Sequence, residues 1–381
     1  MRNLSDTIAR LSAFRNLDAT GVPEKRGTRL IDMVGFGSNP GALRARTYIP
    51  ADLPDGAPLV VVLHGCTQTG GAYDRGAGWT ELADEQGFAV LYPEQLRSNN
   101  LNRCFNWFVP GDIQRDGGEA LSIRQMVGKL IVDHNLDPKR VFVNGLSAGG
   151  AMTAVMLATY PDVFAGGAVI AGLPYGAATT MSSAFDRMRG SGSIDSKALG
   201  ALVRGASDHE GPWPTLSVWH GSDDRTVDQS NAGLLIDQWR ALHDLPPKPT
   251  QTETVDGHAR RVWADADGRP VIEDYLIDGM GHGTPLDPAI EIAGGTEGPY
   301  MLDVGIASTR RIASFWGLAK GSAAKAPKAT VAKIVAKPKS ATPVAISRAK
   351  RVRLPLKSAK PTVEGAAKII DDALRAAGLL R

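Results

Sequence analysis

Short apolar runs alternate with amphipathic stretches along most of this 381-residue chain. Leu59–Leu63 reads LVVVL, an unbroken apolar run that is typical of a strand buried on both faces of a sheet. In Gly118–His134 the apolar residues instead recur at helical spacing. Strands that alternate with helices predict a mostly parallel central sheet with helices on both faces. The predicted strands are Ala42–Ile49, Leu59–Leu63, Phe88–Tyr92, Arg140–Asn144, Gly166–Ile170, Leu216–Trp219, Val255–Val262 and Val271–Ile277, and the predicted helices are Gly118–His134, Ser147–Tyr160, Gln229–His243 and Asp303–Leu318.

Four segments do not follow this alternation. Residues 1–25 have the spacing of an N-terminal helix, and residues 173–214, which are small and polar, interrupt the sheet pattern as a predicted cap or lid. Residues 319–361 are rich in Ala, Lys and Pro, so we expect a disordered basic linker that cannot bury a core. Residues 362–381 return to helical spacing and predict a C-terminal amphipathic helix. The predicted catalytic domain is therefore 26–318.

The formal net charge of +3 conceals two regions of opposite sign. Lys320 to Lys360 contain 12 Lys and Arg and no Asp or Glu, whereas residues 1–319 carry 28 basic and 37 acidic residues. A mildly acidic body thus bears a basic tail. We expect the tail to contact an anionic surface, a polyester granule or nucleic acid. One alternative for the whole chain is a non-catalytic polyanion- or granule-binding protein that acts through this tail.

Two features bear on the compartment. No apolar run approaches the roughly 18 residues of a membrane span, and the first residues lack the unbroken apolar core and cleavage site of an ordinary export signal. The chain as given therefore predicts no transmembrane segment and leaves a cytoplasmic location open. Its two cysteines are Cys66 and Cys104. Two free thiols would be ordinary in a cytosolic protein, whereas one bridge would indicate an oxidising compartment.

A G-x-S-x-G motif is the strongest chemical signal. Gly145–Gly149 (GLSAG) comes directly after a predicted strand and opens a predicted helix. In this context a sharp strand-to-helix turn exposes the serine hydroxyl, and the small flanking residues let the backbone make that turn. Ser147 is therefore the predicted nucleophile.

A serine nucleophile needs a histidine base, and the base needs a carboxylate that orients it. In folds with this motif, the acid and then the histidine follow the serine along the chain. The strand Leu216–Trp219 leads into an acidic loop that brings a carboxylate to the same sheet edge as the serine. Asp224 is preferred to Asp223, because the loop has turned by the second acidic position.

Three histidines that follow Ser147 could supply the base. His243 ends a predicted helix, and His258 lies in a predicted hairpin turn. His282 lies in a glycine-rich loop just after the last predicted strand, where loops converge on the sheet edge, and is the preferred base. His64 and His220 each precede a glycine at a strand end, and we expect them to have structural hydrogen-bonding roles.

The oxyanion that forms during acyl transfer needs N–H donors. The expected donors are the backbone N–H groups of Ala148, directly after the nucleophile, and of Cys66, in the loop after Leu59–Leu63. A bridge from Cys66 to Cys104 would pin that loop. This mechanism requires no metal or organic cofactor. The aromatic residues expected to line the acyl or alcohol side are Tyr73, Trp107, Phe108 and Trp213.

With these residues in place, the chain resembles the polyhydroxybutyrate depolymerase family of esterases, which is akin to the feruloyl and acetylxylan esterases. The resemblance implies the α/β-hydrolase fold and hydrolysis of short hydroxyacid esters or of acyl groups on polysaccharides. It also implies a Ser147, Asp224 and His282 triad and paired cysteines at 66 and 104. The matching segments are His64–Gln68, Cys104–Phe108, Gly145–Gly149, His220–Val227 and Gly279–His282. By their order and spacing, the resemblance covers roughly residues 40–318.

The function expected from the sequence is therefore hydrolysis of short-chain hydroxyalkanoate esters through an acyl-enzyme. A feruloyl- or acetylxylan-type carbohydrate esterase is the alternative. The expected partner is a polyester oligomer or an acylated polysaccharide. Because many members of the family are secreted, the resemblance implies an extracellular location, with the cytoplasm as the alternative.

Overall fold

The structure, a computed structural model, describes residues 28–191 and 194–319. The chain divides into two units, Met1–Ala323 and Ala324–Arg381, and the described residues belong to the first. The N-terminal helix, the basic linker and the C-terminal helix expected from the sequence lie outside the described residues. No helix within the described ranges is long and apolar enough to cross a membrane.

The described residues form strands and helices in alternation over most of their length. The strands are β1 (Ile31–Met33), β2 (Arg44–Tyr48), β3 (Leu59–Leu63), β4 (Ala89–Glu94), β5 (Val141–Leu146), β6 (Gly166–Ile170), β7 (Thr215–Gly221), β8 (Gln251–Val255), β9 (His258–Ala264), β10 (Pro270–Ile277), β11 (Thr284–Leu286) and β12 (Met301–Asp303). The helices are α1 (Gly70–Ala77), α2 (Trp79–Gln86), α3 (Gly118–Asp133), α4 (Ala148–Thr159), α5 (Met181–Met188), α6 (Ser196–Arg204), α7 (Ser230–Leu242) and α8 (Ser308–Phe315).

A large mixed sheet organises this part of the chain. Its strand order is β1-β2-β4-β3-β5-β6-β7-β10-β9-β8. The neighbouring strands β4, β3, β5, β6, β7 and β10 run parallel to one another. Two strands with antiparallel pairing extend the sheet at each end, β2 and β1 beyond β4, and β9 and β8 beyond β10. The prediction of a mostly parallel central sheet is confirmed. The carboxyl ends of β5, β6, β7 and β10 consequently meet along one edge.

Strand β3 shows why its sequence is apolar throughout. Leu59, Val61 and Leu63 pack into the cluster formed with α3, α4 and α7. Val60 and Val62 pack into a second cluster with α1, α2 and α8. Side chains alternate between the faces of a strand, so a sheet covered by helices on both sides requires apolar residues at every position.

Residues 173–214, between β6 and β7, carry α5 and α6. The side chain of Gln238 on α7 holds this segment, because its amide accepts a bond from the Tyr175 N–H and donates to the carbonyls of Tyr175 and Leu199, each at 3.0 Å. The end of α5 is tied to the loop after β7 by a bond of 2.7 Å from the Asp228 N–H to the Met188 carbonyl. The segment is thus fixed to the α7 side of the body.

Some element boundaries differ from the prediction. The predicted strand Val255–Val262 begins too early: a turn at Asp256 and Gly257, both with positive φ, separates Val255 at the end of β8 from β9. Helices α1 and α2 were not predicted, because Gly78 in the left-handed conformation divides a glycine-rich stretch into two short helices. The helix predicted over Asp303–Leu318 begins only at Ser308, since β12 pairs with β11 before it.

Candidate active site

Ser147 sits on a strained turn between β5 and α4. Its φ of 58° and ψ of −118° lie outside the regions that residues with a side chain usually occupy. The surrounding backbone holds this conformation, because the Ser147 N–H donates to the Ile170 carbonyl at 2.9 Å and the Ser147 carbonyl accepts from the Ala151 N–H at 2.8 Å. The turn places the hydroxyl at the carboxyl edge of the sheet, where it keeps slight solvent exposure.

Close backbone packing explains the first glycine of the motif. A Cβ atom on Gly145 would lie 2.4 Å from the carbonyl carbon of Gly149 and 2.8 Å from the Leu63 oxygen. Real Cβ contacts do not occur at such distances, so the turn needs glycine here for space. The start of α4 therefore lies directly against the end of β3.

His282 and Asp224 meet at this edge of the sheet. His282 Nδ1 lies 2.7 Å from Asp224 Oδ2, and the Asp224 side chain is fully buried. The other carboxylate oxygen, Oδ1, accepts bonds from the N–H groups of Thr226 (2.8 Å) and Val227 (2.9 Å). These bonds fix the carboxylate plane and orient the imidazole, which leaves Nε2 of His282 available to receive a proton.

Electrostatics keep Asp224 ionised. Burial disfavours its charge, but the hydrogen bond from His282, the electrostatic interaction with the His282 and His220 rings and the bond from the Val227 amide outweigh burial and lower the pKa of Asp224. The carboxylate can therefore stabilise an imidazolium when His282 accepts a proton.

The other candidate acid and bases lie elsewhere. The Asp223 side chain is exposed, while its N–H donates to the Met280 carbonyl. Nε2 of His243 lies 3.1 Å from the Pro214 carbonyl, and Nε2 of His258 lies 2.8 Å from the Val304 carbonyl. Of the three histidines considered as the base, His282 is the one that the structure places on Asp224.

Cys66 and Cys104 form a disulfide, as the family resemblance implied. The bridge joins the loop after β3 to the segment after β4, and the Thr67 N–H adds a bond of 2.6 Å to the Asn102 carbonyl. Cys66 packs beside the small apolar cluster that contains Ala148. Ala148 is the first residue of α4, where a backbone N–H has no helical partner. The two expected oxyanion donors thus belong to neighbouring segments.

A buried polar network supports the same loop, and of its members sequence reasoning predicted only the structural hydrogen bonding of His64. Nδ1 of His64 lies 2.8 Å from the Gly65 carbonyl, and its Nε2 accepts a bond of 3.1 Å from the Gln95 N–H. The Gln95 side chain donates to the Cys104 carbonyl at 3.2 Å and to Glu119 at 2.5 Å. The network therefore connects both sides of the disulfide through β4 and α3. The only sequence signal was the His-Gly pair at the end of β3.

Two of the four aromatic residues expected to line the substrate site lie near Ala148. Trp107 belongs to the same apolar cluster as Ala148, and Phe108 packs against that cluster. Their rings are perpendicular, with centroids 5.3 Å apart.

Of the other two aromatic residues, Tyr73 does not fit the expected role. It is 0% exposed, and its hydroxyl bonds to Thr284 Oγ1 at 3.2 Å, so it is a core residue. Trp213 packs against Arg204 and His209, with the Arg204 guanidinium carbon 5.7 Å from its ring centroid, and its place in the substrate site stays a prediction. The type and position of a residue in the sequence do not reveal which way its ring points.

The described residues hold no group of three or more His, Cys, Asp or Glu side chains that could bind a metal ion. The chemistry assembled here consists of a serine, a histidine, a carboxylate and backbone amides, which is the equipment of acyl transfer.

Comparison with known proteins agrees with this chemistry. Residues 45–247, more than half of the chain, match the family described as Esterase PHB depolymerase. The chain is 48% identical to poly(3-hydroxyalkanoate) depolymerase C of Paucimonas lemoignei over 291 residues, which cover 76% of this chain and 70% of that protein. It is 33% identical to an acetylxylan esterase of Coprinopsis cinerea over 279 residues, or 70% of this chain and 73% of the relative.

A solved structure shows the same fold. The acetyl xylan esterase from Aspergillus awamori superposes with a TM-score of 0.65 at 25% sequence identity, covering 76% of this chain and 99% of that one. The prediction of an α/β-hydrolase fold is thereby confirmed. The chain is a carboxylic ester hydrolase and belongs to the PHB depolymerase family of esterases.

Proposed function

We propose that the chain hydrolyses short-chain hydroxyalkanoate esters through an acyl-enzyme formed on Ser147. The contact of 2.7 Å between His282 and Asp224, on the sheet edge that also carries the serine turn, supports the catalytic assignment. The similarity to the Paucimonas poly(3-hydroxyalkanoate) depolymerase supports the substrate class.

In the first half of the reaction, His282 Nε2 removes the proton of Ser147 Oγ, and the oxygen attacks the ester carbonyl. The N–H groups of Ala148 and Cys66 would donate to the oxyanion of the tetrahedral intermediate. Asp224 holds the imidazolium in orientation until it gives its proton to the departing alcohol. In the second half, water repeats the attack on the acyl-enzyme and releases the acid.

Trp107 and Phe108 are proposed to border the bound ester. Support comes from their packing with Ala148 and with the two cysteines of the disulfide. Aromatic side chains beside the serine turn would give apolar contacts to a short acyl group. Phe108→Ala should therefore raise KM for a butyrate ester more than it lowers kcat.

A carbohydrate esterase is the second candidate. The identity of 33% to the Coprinopsis acetylxylan esterase and the superposition on the Aspergillus awamori enzyme favour it. The two candidates share one mechanism and differ in the alcohol and acyl groups that the site accepts.

The deciding experiment compares initial rates on hydroxybutyrate oligomers, acetylated xylan and a feruloyl ester. We expect the highest kcat/KM on the hydroxybutyrate oligomers and a loss of activity on the order of a millionfold in Ser147→Ala. Ser122→Ala is the matched control. The Ser122 hydroxyl, near the start of α3, accepts from the Gly41 N–H and donates to the Gly118 carbonyl, but it has no proposed part in catalysis. Activity of Ser147→Ala within tenfold of the parent would contradict the nucleophile, and a preference for acetylated xylan would select the second candidate.

Two proposals concern the setting of the enzyme. We place the chain in an oxidising compartment, such as the extracellular space, supported by the Cys66–Cys104 disulfide. We also propose that the basic segment Lys320–Lys360 binds an anionic surface, which its 12 positive charges support. A chain ending at Leu318 should elute from heparin at lower salt than the full chain and keep its activity on a soluble ester. Equal elution would contradict a binding role for the segment.

A further inference from the structure

His220, which has no part in the mechanism proposed above, is buried beside Asp224. It is the last residue but one of β7 and is 1% exposed. Its Nε2 lies 2.9 Å from the Val227 carbonyl and 3.4 Å from Asp224 Oδ2, the oxygen that also contacts His282. One carboxylate oxygen therefore lies near two imidazole rings.

The contacts of His220 determine its tautomer. A carbonyl oxygen only accepts hydrogen bonds, so Nε2 must carry the proton that bonds to Val227. Nδ1 has no partner among the described residues, and a proton there would be a buried, unsatisfied donor. Burial lowers the pKa of His220, against the opposing charges of Asp224 and Asp274, and so favours the neutral ring. The ring thus acts as a fixed N–H donor.

Val227 links this donor to the carboxylate. Its N–H donates to Asp224 Oδ1 at 2.9 Å, while its carbonyl accepts from His220 Nε2. The same nitrogen lies 3.4 Å from Oδ2, but its single hydrogen is the one that bonds to Val227. His220 therefore restrains Asp224 through the Val227 peptide.

A polar cleft lies beside this pair of residues. The cleft has a volume of about 420 Å³, and both His220 and Asp224 border it. The charged side chains that line it from neighbouring elements are Asp228 before α7, Arg261 on β9 and Asp274 on β10. A shorter side chain at position 220 would leave more of Asp224 facing the cleft, where water would compete for its oxygens.

We propose that His220 is a positioning residue for ester hydrolysis, which holds the Asp224 carboxylate in the orientation that His282 requires without touching the substrate. This inference rests on the proposed function. A misplacement of catalytic groups by about 1 Å can cost on the order of 100-fold in rate, so loss of the restraint on Asp224 should lower kcat measurably.

Two amide substitutions separate positioning from packing. In His220→Gln the side-chain nitrogen reaches the place of Nε2 and keeps a donor for Val227, whereas in His220→Asn it reaches only the place of Nδ1. Both replacements are neutral and polar. His243→Asn is the matched control, because His243 also donates Nε2–H to a backbone carbonyl, that of Pro214, but lies at the far end of α7.

The assay measures kcat and KM on p-nitrophenyl butyrate at a fixed pH, with thermal unfolding of each variant. We expect His220→Asn to lower kcat by roughly 10- to 100-fold with KM almost unchanged. His220→Gln should recover most of kcat, and His243→Asn should lose thermal stability alone.

Two results would overturn the inference: kcat in His220→Asn no lower than in His243→Asn, or equal damage from Gln and Asn at position 220. If His220→Asn does not fold, the ¹⁵N chemical shifts of the parent's ring decide the matter, since a charged ring or an Nδ1–H tautomer at neutral pH would refute it. A parent chain without esterase activity would refute the proposed function instead.

Discussion

Gly149 and the Leu63 carbonyl lie so close together that a Cβ atom on Gly149 would stand 2.2 Å from that oxygen and 2.6 Å from the His64 oxygen. This contact brings the first turn of α4 against the end of β3, and with it Ala148 towards the loop that carries Cys66. The second glycine of the motif therefore sets the spacing of the two expected oxyanion donors.

Gly149→Ala should consequently damage both stability and catalysis. The added methyl group has to push α4 away from backbone atoms that cannot rotate aside, which should cost about 1–3 kcal/mol of unfolding free energy. The same displacement should lower kcat on a soluble ester. Gly233→Ala on α7 is the control, because a Cβ there meets no atom within 4 Å and alanine should stabilise the helix by roughly 0.5–1 kcal/mol. Urea denaturation and kcat of both variants test this, and an unaffected Gly149→Ala would contradict the close contact.

The two neighbouring aspartates should respond differently to amide substitution. Asp224→Asn replaces the buried acceptor of His282 Nδ1–H and should lower kcat on the order of 10⁴-fold, because the imidazole loses its orienting charge. Asp223→Asn changes an exposed side chain and should alter kcat by no more than about twofold. Steady-state kinetics on a soluble butyrate ester decide between them. The reverse order would show that the catalytic carboxylate had been assigned to the wrong residue.

The disulfide should stabilise the fold and the site together. Closing a loop with a sequence separation of 38 contributes about 4 kcal/mol in the chain-entropy model. Cys66→Ala combined with Cys104→Ala should lose much of this and should lower kcat, since Cys66 lies in the expected oxyanion loop. Intact mass before and after reduction and alkylation verifies the bridge in the parent. Two thiols alkylated in unreduced, denatured protein would refute it.

Strand β3 and the serine turn show what local sequence can predict. LVVVL is apolar at every position because both faces of the sheet are covered, and GLSAG is glycine at both ends because backbones approach there. Each pattern has one physical cause, so each could be recognised without the structure. The order of the acid and the base along the chain follows from the fold in the same way.

Tyr73 and His220 show where such reasoning ends. Tyr73 was assigned to the substrate site by its aromatic character, yet its ring points into the core, and no local pattern states which side of α1 is covered. The structural hydrogen bond predicted for His220 is confirmed by its contact with the Val227 carbonyl, but its nearness to Asp224 depends on a loop that local sequence does not reveal. Tertiary contacts of this kind do not leave a periodic signal in the sequence.

Glu119 should make stability depend on pH. Burial raises the pKa of this carboxyl group to about 8, and the negative charge of Asp112 acts in the same direction. The hydrogen bonds from the Asn106 N–H and from the Gln95 side chain lower the pKa, but by less. The folded chain therefore holds a proton that the unfolded chain releases near its ordinary pKa of 4.5. Because the folded state binds more protons in this window, the unfolding free energy falls as pH rises from about 4.5 to about 8.

Glu119→Gln removes this titration, since glutamine resembles the protonated acid and cannot lose a proton. From pH 5 to pH 8, the unfolding free energy measured by urea denaturation should fall less in Glu119→Gln than in the parent. The difference between the two falls should be on the order of a few kcal/mol. Glu85→Gln is the control. The hydrogen bond from Arg310 lowers the pKa of Glu85, so its contribution is lost only as pH falls below 4.5 and the slope from pH 5 to pH 8 should stay parental. Equal slopes in the parent and Glu119→Gln would mean that Glu119 is ionised in the folded chain throughout this range, held as a carboxylate by its two donors.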